Sequence, residues 1–100
     1  MNITVLTPDK EIFKGAITSV KVPGTQGEFQ ILKNHAPIVS SLENGTITIV
    51  TGSGEYRYFD DEKGQIETDQ APGQSLKFQI NGGFVEVLEG EVSLLVTGVQ

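Results

Sequence analysis

Apolar and polar residues alternate along most of this chain. The alternation is clearest in six stretches, at residues 2–7, 16–22, 46–51, 55–59, 76–80 and 92–97. Successive side chains of a β-strand point to opposite faces, so this pattern predicts strands with one buried face. The apolar positions are rich in valine and isoleucine, which favour strands. In the second stretch the pattern places four side chains on one face, namely Ala16, Thr18, Val20 and Val22.

Turn residues separate these stretches at short intervals. The chain has 12 glycines, in groups such as Asn81-Gly82-Gly83 and Gly52-Ser53-Gly54, and such groups suit the backbone angles of tight turns. No stretch keeps the apolar spacing of an amphipathic helix. With 100 residues, the chain can build one core. The sequence therefore predicts an all-β fold, a β-sandwich or flattened barrel, as a single domain over residues 1–100.

The segment at residues 60–74 interrupts this pattern. It holds five acidic side chains and one lysine, and its only apolar residues are Ile66 and Ala71. We expect an exposed acidic loop or an extended hairpin inserted at about 60–74. A calcium-binding EF-hand loop would need glycine at its sixth position, where this segment has Gln65. We therefore predict no metal site there.

Charge and composition exclude several classes of function. The net charge is -6, which disfavours binding to nucleic acid. No run of about 18 apolar residues would span a bilayer, so we expect a soluble, cytosolic chain without direct bilayer insertion. There is no cysteine and one histidine, so neither a disulfide nor a Cys/His zinc site can form. Glycine-rich phosphate-binding motifs are absent. Most hydrolase mechanisms would depend on His35 alone, and the composition favours a binding or structural module without a cofactor.

Residues 22–38 carry a recognisable motif, VPGTQGEFQILKNHAPI. It resembles the motif of the epsilon subunit of F-type ATP synthases, in which a Pro-Gly turn and a Gly-Glu pair precede His-Ala-Pro. The segments Val5-Leu6-Thr7-Pro8 and Asn81-Gly82-Gly83-Phe84-Val85 match the same family in order and spacing. The resemblance covers about residues 1–59 and 76–98.

The resemblance implies a ten-stranded β-sandwich at the foot of the rotating central stalk. Such a subunit is not catalytic alone. It grips the gamma subunit and rests on the polar loops of the rotor ring of c subunits, as a peripheral protein on the cytoplasmic side of the bacterial inner membrane. By resemblance, Glu28 faces the rotor ring, and His35 and Ser40 lie near gamma. Thr7 is also assigned to gamma, although it matches the family by position only.

The sequence departs from the family at three places. Gln30 replaces a glycine, and Lys33-Asn34 replaces Pro-Gly; asparagine tolerates a left-handed backbone, so we expect the turn before His35 to be kept. The acidic segment at 60–74 has no counterpart. The family's two C-terminal helices, associated with inhibition and ATP binding, are not in this sequence, so we expect neither property in this chain.

Two other classes of function remain open. A free-standing β-sandwich module that binds carbohydrate or peptide would need exposed aromatic side chains, and Tyr56 and Tyr58 are the candidates. An enzyme such as a glycoside hydrolase would need a pair of positioned carboxylates, and no spacing singles out such a pair.

Overall fold

The computed structural model describes residues 1–60 and 62–99. The residues it describes form nine β-strands and no helix. The strands are β1 (Asn2–Leu6), β2 (Glu11–Gly24), β3 (Gly27–Leu32), β4 (Ile38–Leu42), β5 (Gly45–Asp60), β6 (Gln65–Asp69), β7 (Ser75–Ile80), β8 (Gly82–Leu88) and β9 (Glu91–Thr97). The predicted all-β class is confirmed. The described residues form nine strands, one fewer than the ten that the resemblance implies.

The strands form two layers, and the long strands β2 and β5 extend from the first layer beyond its edge. The second half of β2 pairs with β3, and the first half of β5 pairs with β7. Since β2 and β5 also pair with each other, the first layer has the order β3-β2-β5-β7. The second layer has the order β4-β8-β9-β1. The early part of β2 pairs with β1, and the end of β5 pairs with β6.

The second layer is joined to β2 at both of its edges. At one edge β1 pairs antiparallel with β2 and parallel with β9. At the other edge β4 meets β2 through the pair Gly24–Leu42. The sheet therefore closes into a ring, which leaves fewer free edges than an open sandwich has. The molecule measures 35 × 27 × 19 Å, so this ring is flattened.

The core lies between the two layers. It is built almost entirely from aliphatic side chains that alternate with exposed residues along each strand, as the sequence pattern predicts. Its fully buried members include Ile3, Val5, Val20, Val22, Ile31, Ile47, Ile49, Val85 and Leu94.

The alternation changes phase in the middle of β2. The pairing of β2 with β5 is interrupted on both sides of Ile17, and such bulges turn side chains towards the other face. Ile17 is therefore buried and Thr18 is exposed, while Val20 and Val22 remain in the core. The prediction that Thr18 shares a face with Val20 and Val22 is wrong for this reason. Ala16 is half-buried.

The acidic segment begins as a hairpin. Strand β6 pairs antiparallel with the end of β5, from Asp60–Gln65 to Tyr56–Asp69. Within the turn, the carboxylate of Asp60 accepts a hydrogen bond from the backbone N–H of Glu62 at 2.9 Å. Lys63 and Glu67 form a partly exposed ion pair at 3.3 Å. A hydrogen bond from Gln65 lowers the pKa of Glu67, and the contact with Lys63 lowers it further. Among the described residues, no helix is long and apolar enough to cross a membrane.

Candidate functional site

His35 lies in the loop between β3 and β4. Its backbone N–H donates to the carbonyl of Leu32 at 3.2 Å, which closes a tight turn. Its ring Nδ1 lies 2.7 Å from the carbonyl oxygen of Ala36. Since a carbonyl can only accept, this contact places a proton on Nδ1 and leaves Nε2 of the neutral ring as an acceptor. The ring is half-buried, so it is oriented locally and still accessible to a partner.

The depression beside His35 contains both non-glycine residues that have a positive φ in the part of the chain that the structure describes. Asn34 has φ 68° and Glu89 has φ 50°, and both line the same depression of about 370 Å³ with His35 and Gly90. The value at Asn34 confirms the predicted left-handed turn before His35. Glu89 and Gly90 form the two-residue connection between β8 and β9. Because this turn lines the same depression as Asn34, it lies next to the turn before His35.

Thr7 directly follows β1 and shapes the turn into β2. Its hydroxyl oxygen accepts hydrogen bonds from the backbone N–H groups of Asp9 at 3.3 Å and Lys10 at 3.1 Å. Its backbone N–H donates to the carbonyl of Lys10 at 2.8 Å. Because the hydroxyl already serves this turn, Thr7 has a structural role that does not depend on any partner.

Ser40 and Glu28 lie close together, although the resemblance assigns them to different partners. Ser40 is the middle residue of β4, and Glu28 is near the start of β3. Both line a shallow depression of about 520 Å³ where the two layers meet. Beside this depression, the backbone N–H of Thr25 donates to the carbonyl of Ser41 at 3.1 Å and connects the β2–β3 turn to β4.

The outer face of the first layer is mostly polar, although the exposed Leu32 also lies on it. We call it the polar face and define it by Lys21, Glu28, Gln30, Thr46, Thr48, Lys77 and Gln79. The strand registers place these residues on neighbouring strands. Lys21 Nζ lies 3.9 Å from Glu28 Oε1, with both side chains about half exposed. The amide of Gln79 donates to the hydroxyl of Thr46 at 2.7 Å.

The outer face of the second layer carries a row of exposed apolar side chains among polar ones such as Glu86 and Ser93. We call it the apolar face and define it by Leu6, Val39, Phe84, Leu88 and Leu95, which are 37%, 72%, 55%, 52% and 54% exposed. The residue pairs Leu6–Leu95 and Phe84–Leu95 are direct cross-strand neighbours. Three adjacent strands therefore present a continuous row of exposed apolar side chains, and such a row marks a contact surface more often than a solvated one.

The apolar face was missed by sequence reasoning. Its residues occupy the positions of alternating strands that should be polar, as Leu95 does between the buried Leu94 and Val96. This out-of-phase leucine is a signal that the sequence does contain. The aromatic candidates for the binding-module alternative are wrong, because Tyr56 is buried and Tyr58 is half-buried, whereas Phe84 is exposed.

The described residues offer little for catalysis or metal binding. Within residues 1–60 and 62–99, no group of three or more His, Asp or Glu side chains is placed to hold a metal ion. The ionisable side chains of Glu28 and His35 each contact only local groups. What the arrangement provides is two extended outer faces, of which one is mostly polar and the other carries a row of exposed apolar side chains. The four predicted site residues lie on the polar face or beside the apolar one.

Comparison with known proteins gives one consistent family. Residues 1–71 match the model described as ATP synthase, Delta/Epsilon chain, beta-sandwich domain. The ATP synthase epsilon chain of Chlorobium limicola is 34% identical over 98 residues, which are 98% of this chain and 90% of that protein. The epsilon chain of Leptospira borgpetersenii is also 34% identical, over 95% of this chain and 59% of its own length. The chain thus spans about three fifths of the length of several curated relatives.

Solved structures agree on the fold. A chain of the Euglena gracilis mitochondrial ATP synthase matches 98% of this chain with TM-score 0.72 and 19% identity, over 51% of its own length. A chain of the Tetrahymena thermophila mitochondrial ATP synthase, from a structure of its central stalk and c-ring, matches all of this chain with TM-score 0.69 and 18% identity, over 65% of its own length. The predicted resemblance is confirmed: this chain belongs to the family of ATP synthase delta and epsilon chains and contains their β-sandwich domain.

Proposed function

We propose that this chain works as the β-sandwich of an epsilon-type subunit, which couples the gamma subunit to the rotor ring during proton-driven ATP synthesis. The observation that carries this proposal is the contrast between the polar face and the exposed apolar row Leu6–Leu95–Phe84 on the opposite side of the molecule. A part that transmits torque between two bodies needs two separate contact surfaces on one rigid unit. The closed sheet supplies the rigidity, and the two layers supply the surfaces.

The apolar face is the docking surface for the gamma subunit. Three residues that the resemblance assigns to gamma lie next to it along the chain: Thr7 follows Leu6, Ser40 follows Val39, and His35 precedes β4. Burial of exposed leucine and phenylalanine is the main source of affinity in stable protein interfaces. This surface fits a contact that persists during rotation.

The polar face is the docking surface for the rotor ring. Glu28, which the resemblance assigns to the ring, belongs to it and pairs with Lys21. The polar loops that connect membrane helices present charged and hydrogen-bonding groups, and a face with lysines, threonines and glutamines complements them. The Tetrahymena chain with the same fold comes from a central stalk and c-ring assembly, which supports a place for this chain in such an assembly.

Three features of the proposed function follow from these two contacts. The subunit is not catalytic and needs no cofactor, because its task is mechanical. It lies on the cytoplasmic side of the bacterial inner membrane and is held there by the ring, without entering the bilayer. We propose one domain over residues 1–100, with the acidic segment at 60–74 as an insertion.

Co-purification with both partners tests this function. The tagged chain is expressed with gamma and the c-ring, and the complex is isolated in mild detergent. We expect gamma and the ring to be recovered together with the chain in fixed proportion. If the chain binds neither partner, the proposal is wrong, and the free-standing binding module becomes the better account. Glycan and peptide arrays would then identify its ligand.

A further inference from the structure

We propose that the polar face recognises acidic side chains of a protein partner, and that Lys77 is the residue that contacts them. This inference rests on the proposed function in taking the polar loops of the rotor ring as that partner. The registers place Lys21 opposite Thr48, and Thr48 opposite Lys77. The two lysines therefore stand in one cross-strand row, with a threonine between them.

The charge of the polar face differs in sign from that of the chain. The face has two lysines and one glutamate, hence +1, whereas the whole chain carries -6. An acidic surface repels acidic partners at long range, so a basic area on it concentrates their approach on one place. The net negative charge of the rest of the molecule repels acidic partners from its other surfaces.

The local contacts distinguish the two lysines. Lys21 is engaged by Glu28, at 3.9 Å. Lys77 forms no ion pair with any residue in ranges 1–60 and 62–99, and its side chain is exposed. Both lysines line a shallow depression of about 480 Å³ together with Glu28, Thr46 and other residues of the face. Lys77 is therefore the cation available to a partner.

The position of Glu28 adds a second element of recognition. Lys77 lies on β7, whereas Glu28 lies on β3 at the other side of the same layer, with Lys21 between them. A partner that places an acidic group against Lys77 therefore also lies over the carboxylate of Glu28, on the other side of the polar face. The complementary surface has an acidic residue opposite Lys77 and a basic or hydrogen-bond-donating residue opposite Glu28.

Zero-length cross-linking in the assembled ATP synthase tests this directly. A carbodiimide joins a lysine amine to a carboxylate only where the two are in contact, and mass spectrometry identifies the joined peptides. We expect Lys77 to be joined to an acidic residue of the rotor ring. A link between Lys21 and Glu28 is the internal positive control. Lys14, which is exposed on the early part of β2, is the matched lysine, and its products with ring carboxylates give the background.

The outcomes separate this inference from the proposed function. If Lys77 is joined to a carboxylate of a subunit other than the ring, recognition of acidic groups holds and the placement of the ring is wrong. If Lys77 gives no more product than Lys14 while Glu28→Cys forms a disulfide with a cysteine in a ring loop, the ring placement holds and this inference is wrong. If neither reaction occurs, both are wrong.

Charge reversal gives an independent measure. We expect Lys77→Glu to weaken binding of the ring, reconstituted in nanodiscs, by about threefold to tenfold at low salt, and the difference to shrink as salt is raised. Lys14→Glu changes the net charge equally and should leave binding within about twofold of the wild type. Equal effects of the two substitutions would show that only net charge matters, and would overturn the assignment to Lys77.

Discussion

The hydroxyl oxygen of Thr51 accepts a hydrogen bond from the backbone N–H of Gln74 at 2.9 Å. The same hydroxyl donates to the carbonyl of Ala71 at 2.8 Å. The backbone N–H of Thr51 donates to the carbonyl of Gln74, and the N–H of Gly73 donates to the carbonyl of Thr51. Thr51 is fully buried, so this residue anchors the end of the acidic segment to β5.

Replacing Thr51 with valine should destabilise the domain. Valine keeps the shape of threonine but leaves the N–H of Gln74 and the carbonyl of Ala71 without their partner, at a cost of about 1–3 kcal/mol. Thr51→Ser keeps the hydroxyl and should retain most of the stability. Urea denaturation of both variants measures the difference. Equal stability of the two variants would show that the hydroxyl anchors nothing.

Gly83 should not tolerate a side chain. It has φ 149°, and a Cβ atom there would lie 2.9 Å from Cα of Val96 and closer still to the carbonyl oxygen of Leu95. Both are backbone atoms of β9, so no rotamer change relieves the clash. We expect Gly83→Ala to cost more than about 3 kcal/mol. Gly64→Ala is the control: its backbone is also left-handed, but its Cβ would meet open space, and it should cost about 1–2 kcal/mol.

Replacing Glu89 with asparagine should stabilise the domain. The Glu89–Gly90 connection has positive φ at both positions, which is the type I′ turn that favours Asn-Gly in two-residue hairpins. We expect Glu89→Asn to raise the free energy of unfolding by roughly 0.5–1 kcal/mol, because asparagine adopts the left-handed conformation more readily. Glu89→Gln removes the same charge without this preference and should give no such gain. If both variants are equally stabilised, charge and not backbone strain is the cause.

Tyr56 should make the domain sensitive to alkaline pH. Burial raises the pKa of its phenol above the ordinary value of 10.0, and the nearby carboxylate of Asp69 raises it further. Above pH 10 the unfolded chain therefore loses this proton while the folded chain retains it. Stability should fall with rising pH from about pH 10 until the folded pKa is reached.

Thermal unfolding between pH 8 and 11 measures this effect in Tyr56→Phe. The variant should show a shallower alkaline decrease in Tm than the wild type. Tyr58→Phe, which removes the neighbouring half-buried phenol, should keep most of the decrease. If Tm of Tyr56→Phe falls with pH as steeply as that of the wild type, a group other than Tyr56 causes the alkaline sensitivity.

Local alternation was enough to predict β1, β2, β5, β7 and β9, but not β3, β4, β6 or β8. The turn at Asn34 was expected from the family resemblance, together with the tolerance of asparagine for a left-handed backbone. Local alternation was not enough where cross-strand pairing decides the result. The bulge around Ile17 depends on how β2 fits β5, and no local alternation reports it. The low apolar content of residues 60–74 predicted an exposed segment. It gave no sign that the end of this segment is held to β5 by the hydrogen bonds of Thr51. The apolar face forms only because β1, β8 and β9 are neighbours.

The most direct test of the two-face account is the affinity of Phe84→Ser for the gamma subunit. Phe84 is exposed on the apolar face next to Leu95, so its loss should change the stability of the isolated domain by no more than about 1 kcal/mol.

Isothermal titration against gamma should show a loss of about tenfold to a hundredfold in affinity for Phe84→Ser, the size expected for an aromatic residue central to an interface. Lys77→Glu, on the opposite face, should bind gamma within about twofold of the wild type. Wild-type affinity of Phe84→Ser, or a larger loss for Lys77→Glu, would contradict the assignment of the apolar face to gamma.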